Sequence, residues 1–130
     1  MPMQRTIDYW IEETDEALRV ADHLFEKKDY SYSLFFGHLA VEKMLKAICV
    51  KRKGEHAPQI HNLLRLAEHA DIPLSKEQKD VLIKITAFNL ESRYPDEKRS
   101  FRNKCNEAFT LAELSHIREV LQWLRSIVMS

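Results

Sequence analysis

The stretch FFGHLAVEKMLKAICV, residues 35–50, would carry apolar side chains on nearly every face of a helix. A helix that is apolar all round is normally buried, so this stretch predicts the central element of a helical domain. His38, Glu42 and Lys46 interrupt it at four-residue intervals and therefore form one narrow strip on the helix. Because an unpaired buried charge is costly, the strip is either an internally paired structural seam, in which Glu42 bridges Lys46, or a ligand site.

The helical pattern extends on both sides of this stretch. Apolar residues recur at three- and four-residue spacing in the first part of the chain, which predicts a first helix over about residues 6–27. The central helix is expected over about residues 30–53, with Asp29 as its N-cap. A short third helix is expected over about residues 62–70.

Capping patterns mark the remaining helices. Ser75 and Gln78 match a capping box for a fourth helix that reaches about residue 92. A last apolar repeat runs to the end of the chain. Its helix begins either near Asn106 or at a second capping box formed by Thr110 and Glu113.

Together these patterns predict an all-α fold, an up-and-down bundle of four long helices plus one short helix. The chain has only two glycines and four prolines, and no alternating segment of a length that would make a strand. No internal repeat or linker divides the sequence, so we expect a single domain over residues 1–130.

The segment SRYPDEKRSFRNK, residues 92–104, is the one long polar interruption, broken at Pro95. It holds five basic side chains against two acidic ones, with Tyr94 and Phe101 interleaved. One interpretation is a solvated loop whose charges favour solubility. The other is a small phosphate-binding patch with aromatic rings available for stacking.

Composition excludes several classes of protein. The 20 basic and 20 acidic residues balance, so nucleic acid or an anionic membrane would need a local patch to bind. No apolar run is long enough to span a membrane and the start lacks a signal peptide, which predicts a cytoplasmic protein without membrane contact. The two cysteines and six histidines lack zinc-ligand spacing, and the motifs of P-loop, Rossmann and serine-hydrolase sites are missing. We therefore predict no metal and no cofactor.

Three stretches carry a family resemblance. SLFFGHLAVEKMLKAICV (residues 33–50), IHNLLRLAE (60–68) and FNLESRYPD (88–96) resemble, in order and separation, the HEPN family, named for higher eukaryotes and prokaryotes nucleotide-binding. The combination covers nearly the whole chain and is specific, whereas any one stretch alone is not. The resemblance implies a helical bundle that forms a homodimer.

The resemblance also implies a cellular setting. Prokaryotic members are commonly encoded beside a minimal nucleotidyltransferase, in pairs that often behave as toxin–antitoxin modules. Active toxins of the family are metal-independent ribonucleases that carry arginine, four to six residues, and then histidine. No arginine of this chain is followed by histidine at that spacing; after Arg93 the three positions hold Lys98, Arg99 and Ser100.

Seven residues make up the candidate binding site: His38, Glu42, Lys43, Lys46, His61, Arg93 and Tyr94. All match residues characteristic of the family. In this hypothesis Lys46 and Arg93 supply positive charge for phosphate, and His38 or His61 orients a base or sugar. Tyr94 offers an aromatic face or a hydroxyl.

The sequence thus predicts a nucleotide-binding or accessory subunit that partners a minimal nucleotidyltransferase, with nucleotide or RNA as ligand and no catalytic residues. The alternatives are a ribonuclease that uses Arg93 with a non-standard acid, Tyr94 or His116, and a purely structural dimerisation module.

Overall fold

The all-α prediction is confirmed. The computed structural model describes residues 3–130, and this part of the chain contains helices and no strand. No helix within it is long and apolar enough to cross a membrane. The elements are α1 (Gln4–Glu26), α2 (Tyr30–Lys53), α3 (Leu63–His69), α4 (Lys76–Thr86), a 3-10 helix (Leu90–Ser92), α5 (Pro95–Lys104) and α6 (Glu107–Val128).

Helix α2 is the centre of the bundle, as its composition predicts. It packs against α1, α6, α3 and α5. Leu34, Met44, Leu45 and Ile48 are among its completely buried side chains. Burying a side chain of this size stabilises the fold by about 1.5–3 kcal/mol, so α2 supplies much of the hydrophobic driving force.

The described residues form three long helices, α1, α2 and α6, and three shorter ones, rather than the predicted four long helices and one short helix. Helices α1, α2, α4 and α6 alternate in direction. Ser33 near the start of α2 donates a 2.7 Å hydrogen bond to the Ala21 carbonyl near the end of α1. Helix α6 runs antiparallel to α1. Arg125 near the end of α6 pairs with Asp15 of α1 at 2.6 Å, and Arg118, earlier in α6, pairs with Asp22, which lies later in α1. Helix α4 in turn opposes α6, and α1, α2, α4 and α6 therefore form an up-down-up-down bundle.

Gly37 lets α2 and α6 approach closely. A β-carbon added to Gly37 would lie 2.6 Å from Cδ1 of Ile117 and 3.6 Å from Cδ2 of Leu114. Ile117 is completely buried and has little room to move. The crossing of the two helices therefore depends on the missing side chain.

We expect Gly37→Ala to lower the free energy of unfolding by about 1 kcal/mol, since overpacking outweighs the gain in helix propensity. Ile117→Val removes Cδ1 and should cost about 1 kcal/mol alone. In the double variant the clash is gone, so its loss should be smaller than the sum of the two single losses. Chemical denaturation of the four proteins measures this coupling, and additive losses would show that Gly37 does not set the helix approach.

The polar segment at residues 92–104 is helical, so the prediction of a loop there is wrong. Pro95 begins α5 rather than breaking the chain, because the first turn of a helix needs no proline N–H. Phe101 is buried and stacks on Phe88, with ring centroids 5.6 Å apart. The buried Phe101 ring thus holds α5, which is otherwise polar, against the bundle. Because α5 has a single buried apolar position, its sequence shows no helical periodicity.

Other helix ends differ from the sequence-based expectation in detail. Helix α4 ends at Thr86 rather than near residue 92, and the 3-10 helix follows it. Asp29 precedes α2 but its side chain makes no capping hydrogen bond. The Ser75–Gln78 capping box is confirmed, with hydrogen bonds of 3.1 and 2.9 Å.

Helix α6 begins at the earlier of its two candidate positions. The Asn106 side chain accepts a 2.8 Å hydrogen bond from the Phe109 amide. Thr110 therefore lies inside the helix, completely buried, and its hydroxyl has no hydrogen-bond partner among the described residues. An unmatched buried hydroxyl lowers stability.

Thr110→Val should therefore raise the free energy of unfolding by about 1 kcal/mol, because valine keeps the shape and removes the unmatched hydroxyl. Thr86→Val is the matched control. The Thr86 hydroxyl donates to the Leu82 carbonyl at 2.8 Å and accepts from the Leu63 amide at 3.2 Å, so its loss should lower stability by about 1–3 kcal/mol. Thermal unfolding of both variants is the measurement, and destabilisation by Thr110→Val would contradict the expectation.

Candidate functional site

The ionisable strip of α2 opens into a pocket of about 250 Å³. One wall is α2, the second is the loop that leads into α3, and the third is the segment around the 3-10 helix. Eight residues line the pocket: Phe35, His38, Leu39, Glu42, His61, Asn89, Glu91 and Ser92.

Local hydrogen bonds hold the second and third walls in place. Asn62 caps α3, accepting from the Arg65 amide at 3.1 Å, which sets the position of the preceding His61. The Leu63 amide donates to the hydroxyl of Thr86 at the end of α4. Asn89 accepts from the Glu91 amide at 3.2 Å and so begins the 3-10 helix. Residues far apart in the sequence are thereby fixed around one cavity.

Glu42 lies between the other ionisable groups of the site and contacts both Lys46 and His61. The residue is 4% exposed. Oε2 lies 3.2 Å from Nζ of Lys46, and Oε1 lies 3.2 Å from Nδ1 of His61. The pairing of Glu42 with Lys46 that the four-residue spacing predicts is therefore present. His61 joins them across the pocket, while its own side chain is largely exposed.

His38 is completely buried, and both of its ring nitrogens lack a hydrogen-bond partner among the described residues. Its Nε2 lies 3.8 Å from Oε1 of Glu42, beyond hydrogen-bond distance. The ring stacks on Phe35 at a centroid distance of 6.2 Å. Burial lowers the pKa of His38 below its usual value of 6.5, and the Glu42 carboxylate and the nearby His61 backbone oppose that shift. The His61 backbone lies close to the ring, but it does not meet the distance and angle limits of a hydrogen bond. The imidazole is therefore neutral at physiological pH, with one donor and one acceptor unused.

Lys43 and Lys46 contact α1 through one aromatic ring. Their Nζ atoms lie 5.6 and 5.1 Å from the centroid of the Trp10 ring, within the range of a cation–π interaction. The charge of Lys46 is thus shared between Glu42 and Trp10. No site role was predicted for Trp10, since a tryptophan in the apolar stripe of an amphipathic helix looks like an ordinary core residue.

Arg93 and Tyr94 lie outside the pocket lining. The Arg93 guanidinium donates to the Ala87 carbonyl at 2.9 Å and lies 5.0 Å above the Phe101 ring. Tyr94 precedes α5 and is 78% exposed. Of the seven candidate residues, the structure brings His38, Glu42 and His61 together in the pocket, with Lys46 attached through Glu42.

Four lining residues gave no independent signal in the sequence: Phe35, Leu39, Asn89 and Ser92. Glu91 lies in the family-matching stretch FNLESRYPD (residues 88–96), which gave it no role of its own. The phenylalanine and leucine side chains belong to a continuous apolar run, and the others belong to a short polar turn. Only the folded chain shows that these side chains surround one cavity.

A second buried carboxylate lies elsewhere in the bundle. Glu113 of α6 is 7% exposed; its Oε1 lies 3.1 Å from Nζ of Lys84 on α4 and 3.5 Å from Nδ1 of His116. His116 is thus held in this cluster, whereas Arg93 is held by Ala87 and Phe101. The geometry gives no support to the pairing of Arg93 with His116, which is one of the two forms of the ribonuclease alternative; the form that uses Tyr94 stays a prediction.

The chemistry of the pocket follows from its lining. It contains two carboxylates and two histidines, and no lysine or arginine. Within residues 3–130, no group of three or more histidine, cysteine, aspartate or glutamate side chains is suited to hold a metal ion. Such a lining accepts hydrogen bonds from N–H groups and offers one buried imidazole that both donates and accepts.

Both cysteines are free and buried. Burial raises the pKa of the Cys49 and Cys105 thiols to about 11. A thiolate is the reactive form, so neither cysteine is activated as a nucleophile at neutral pH.

Comparison with known proteins identifies relatives of this fold. The family model described as HEPN domain matches residues 7–127. A solved structure, the crystal structure of TT1696 from Thermus thermophilus, superposes with a TM-score of 0.76 at 20% sequence identity, covering 93% of this chain and 97% of that one. At this identity the likeness shows a shared fold. A search of curated proteins found no match.

Proposed function

We propose, from the premise that this chain belongs to the HEPN domain family, that it is a nucleotide-binding or accessory module whose ligand enters the pocket at His38. The single observation that carries the proposal is the buried His38 ring with two unused nitrogens at the wall of a cavity. Leaving a buried polar group without a partner costs about 1–3 kcal/mol, and a ligand that supplies the missing hydrogen bonds removes that cost.

The neighbouring side chains suit the same role. Phe35 and Leu39 provide apolar walls for a planar ring, and Glu42 and His61 provide polar groups at its edge. In this proposal Lys43 and Lys46 position α2 from outside the pocket lining. Lys43 contacts Trp10, and Lys46 contacts both Trp10 and Glu42. Arg93 and Tyr94, beside the basic α5, would contact a ligand only where it extends beyond the pocket.

The proposed setting is a cytoplasmic homodimer, with one HEPN domain over residues 1–130, that acts as partner of a minimal nucleotidyltransferase in a two-component, toxin–antitoxin-like system. Family membership supports this setting, since such pairs are common among prokaryotic members. Sedimentation equilibrium of the purified protein tests the dimer. The accessory role predicts a stoichiometric complex with a minimal nucleotidyltransferase encoded beside this chain.

Nucleotide binding is tested by thermal unfolding of the purified protein against a panel of nucleotides. A ligand present at 100 times its dissociation constant should stabilise the folded state by about 2.7 kcal/mol. His38→Phe should abolish the shift, whereas His56→Gln, in the exposed loop before α3, should leave it unchanged. If no nucleotide shifts the transition, the pocket is a structural seam and the protein is better regarded as a dimerisation module.

A further inference from the structure

We infer that the pocket takes the amino-bearing edge of a nucleobase, and that a phosphate group stays outside it. This inference rests on the proposed function and specifies the part of the ligand that is recognised. It replaces the sequence-based hypothesis that Lys46 supplies the charge for phosphate at the strip.

The charge of the lining argues against phosphate. Glu42 and Glu91 both border the cavity, and the charge of Lys46 lies 3.2 Å from the Glu42 carboxylate. The exposed fraction of the Lys46 side chain is only 11%, so little of it faces solvent or a ligand. A phosphate would bring negative charge next to two carboxylates with no unneutralised cation in the lining, and like charges at close range repel.

The carboxylate of Glu42 retains capacity to accept hydrogen bonds. Two carboxylate oxygens offer about four acceptor positions. Lys46 occupies one on Oε2 and His61 one on Oε1. The remaining positions are available to N–H groups of a ligand, and the amino group of adenine, cytosine or guanine supplies such donors.

His38 adds the complementary acceptor and donor. Its neutral ring has one N–H and one free lone pair, both without a protein partner among the described residues. An edge that places an amino group beside a ring nitrogen can satisfy both His38 and Glu42. A base without an amino group, such as uracil or hypoxanthine, offers the carboxylate only its ring N–H, and the carbonyl oxygen beside that N–H is repelled by the carboxylate.

The size of the cavity agrees with a base rather than a whole nucleotide. Pockets for drug-sized ligands are commonly about 300–1,000 Å³. The pocket at His38, at about 250 Å³, is slightly below that range. A planar ring can lie against the apolar groups of Phe35 and Leu39 on the α2 wall, while the sugar and phosphate remain in solvent.

Calorimetric titration with nucleosides tests the inference. Adenosine, cytidine and guanosine each carry an amino group, and inosine and uridine are the matched ligands without one. We expect at least one amino nucleoside to bind at least about tenfold more tightly than its matched partner. Its monophosphate should bind within about threefold of the nucleoside, and ribose 5-phosphate and inorganic phosphate should not bind.

The base could belong to a free nucleotide or to a single strand, and oligoadenylate compared with oligouridylate separates these sources. Tighter binding of oligoadenylate than of adenosine identifies a strand as the ligand. Preference for oligoadenylate over oligouridylate supports recognition of the amino edge in either case.

Glu42→Gln separates base recognition from a purely structural role, because only base recognition predicts a change in the preference between adenosine and inosine. An amide can donate to a carbonyl oxygen, so this variant should bind inosine more tightly and adenosine more weakly than the unaltered protein. Glu113→Gln is the matched control, because Glu113 is also buried and paired with a lysine and a histidine, but lies outside the pocket. It should leave both affinities unchanged.

The outcomes distinguish the two proposals. Nucleotides that bind only through phosphate, or without discrimination between amino and carbonyl bases, overturn this inference and leave nucleotide binding standing. An unchanged preference in Glu42→Gln also overturns it. Failure of every nucleoside, nucleotide and oligonucleotide to bind overturns the proposed function and this inference together.

Discussion

Glu42→Ala is expected to lower the free energy of unfolding by about 2–4 kcal/mol, the largest loss we predict for any polar side chain of this protein. Removing the carboxylate leaves Lys46 almost buried without its ion-pair partner, and only the Trp10 ring remains beside its charge. The cost follows from the low exposure of Lys46, since a cation with little access to water has no good substitute for the lost carboxylate. Chemical denaturation at neutral pH measures it.

Glu113→Ala is the control for this prediction. Glu113 is about as buried as Glu42, but its partner Lys84 is 46% exposed. Water can solvate Lys84 after the carboxylate is lost, so we expect a cost of about 1 kcal/mol. Equal losses in the two variants would contradict the argument from the partner's exposure.

A double variant separates the lost pair from the lost packing. Glu42→Ala combined with Lys46→Met removes both charges, so no unpaired cation remains near the core. We expect the double variant to recover most of the stability lost in Glu42→Ala alone, because a buried ion pair often contributes little more than an apolar replacement. If the two losses add, the pair is not the reason for the cost.

His38→Phe is expected to abolish ligand binding while leaving the unliganded protein as stable as before, or more stable by about 1 kcal/mol, at pH 8. Phenylalanine has a similar flat shape and removes two buried nitrogens that lack partners among the described residues. Loss of binding together with undiminished stability is the behaviour of a residue retained for function rather than for folding. Thermal unfolding with and without nucleotide measures both effects.

The same variant predicts a change in pH dependence. Because burial lowers the pKa of His38 in the folded state, the unfolded chain binds a proton first as the pH falls below about 6.5. The contribution of neutral His38 to the free energy of unfolding is therefore fully present above about pH 6.5 and is lost as the pH falls toward the folded-state pKa. Glu42, Glu91 and His61 influence His38, but they remain in both proteins.

We expect the stability advantage of His38→Phe over the unaltered protein to grow between pH 7 and pH 5, when both are unfolded with urea at each pH. His56→Gln is the control, since His56 is exposed and its replacement should leave the pH profile parallel to that of the unaltered protein. Parallel profiles for His38→Phe would mean that His38 does not resist protonation in the folded state.

The helix boundaries show which parts of the fold can be predicted from residues that are close in the sequence. The Ser75–Gln78 capping box is predicted because the groups that satisfy the first helical amides lie within three residues. The same local pattern leaves two candidate starts for α6, and the structure places the start at Asn106. Helix α5 shows the limit. Its one buried residue, Phe101, is held by Phe88 from another part of the chain, so no periodic signal marks the segment.

The candidate site divides in the same way. The spacing of His38, Glu42 and Lys46 predicts one strip and one ion pair, since helix geometry alone brings residues four apart into contact. No such rule predicts that His61 would reach Glu42, that Trp10 would cover Lys46, or that Arg93 would turn to the Ala87 carbonyl.

The sequence by itself therefore determined the helical class, the central place of α2 and the ionisable strip along it, because each depends on periodicity within one helix. Only the tertiary structure decided that the strip opens into a pocket bordered by two carboxylates, and that Lys46 is neutralised behind it. The physical reason is that burial and charge neutralisation depend on residues that the fold brings together from distant parts of the chain.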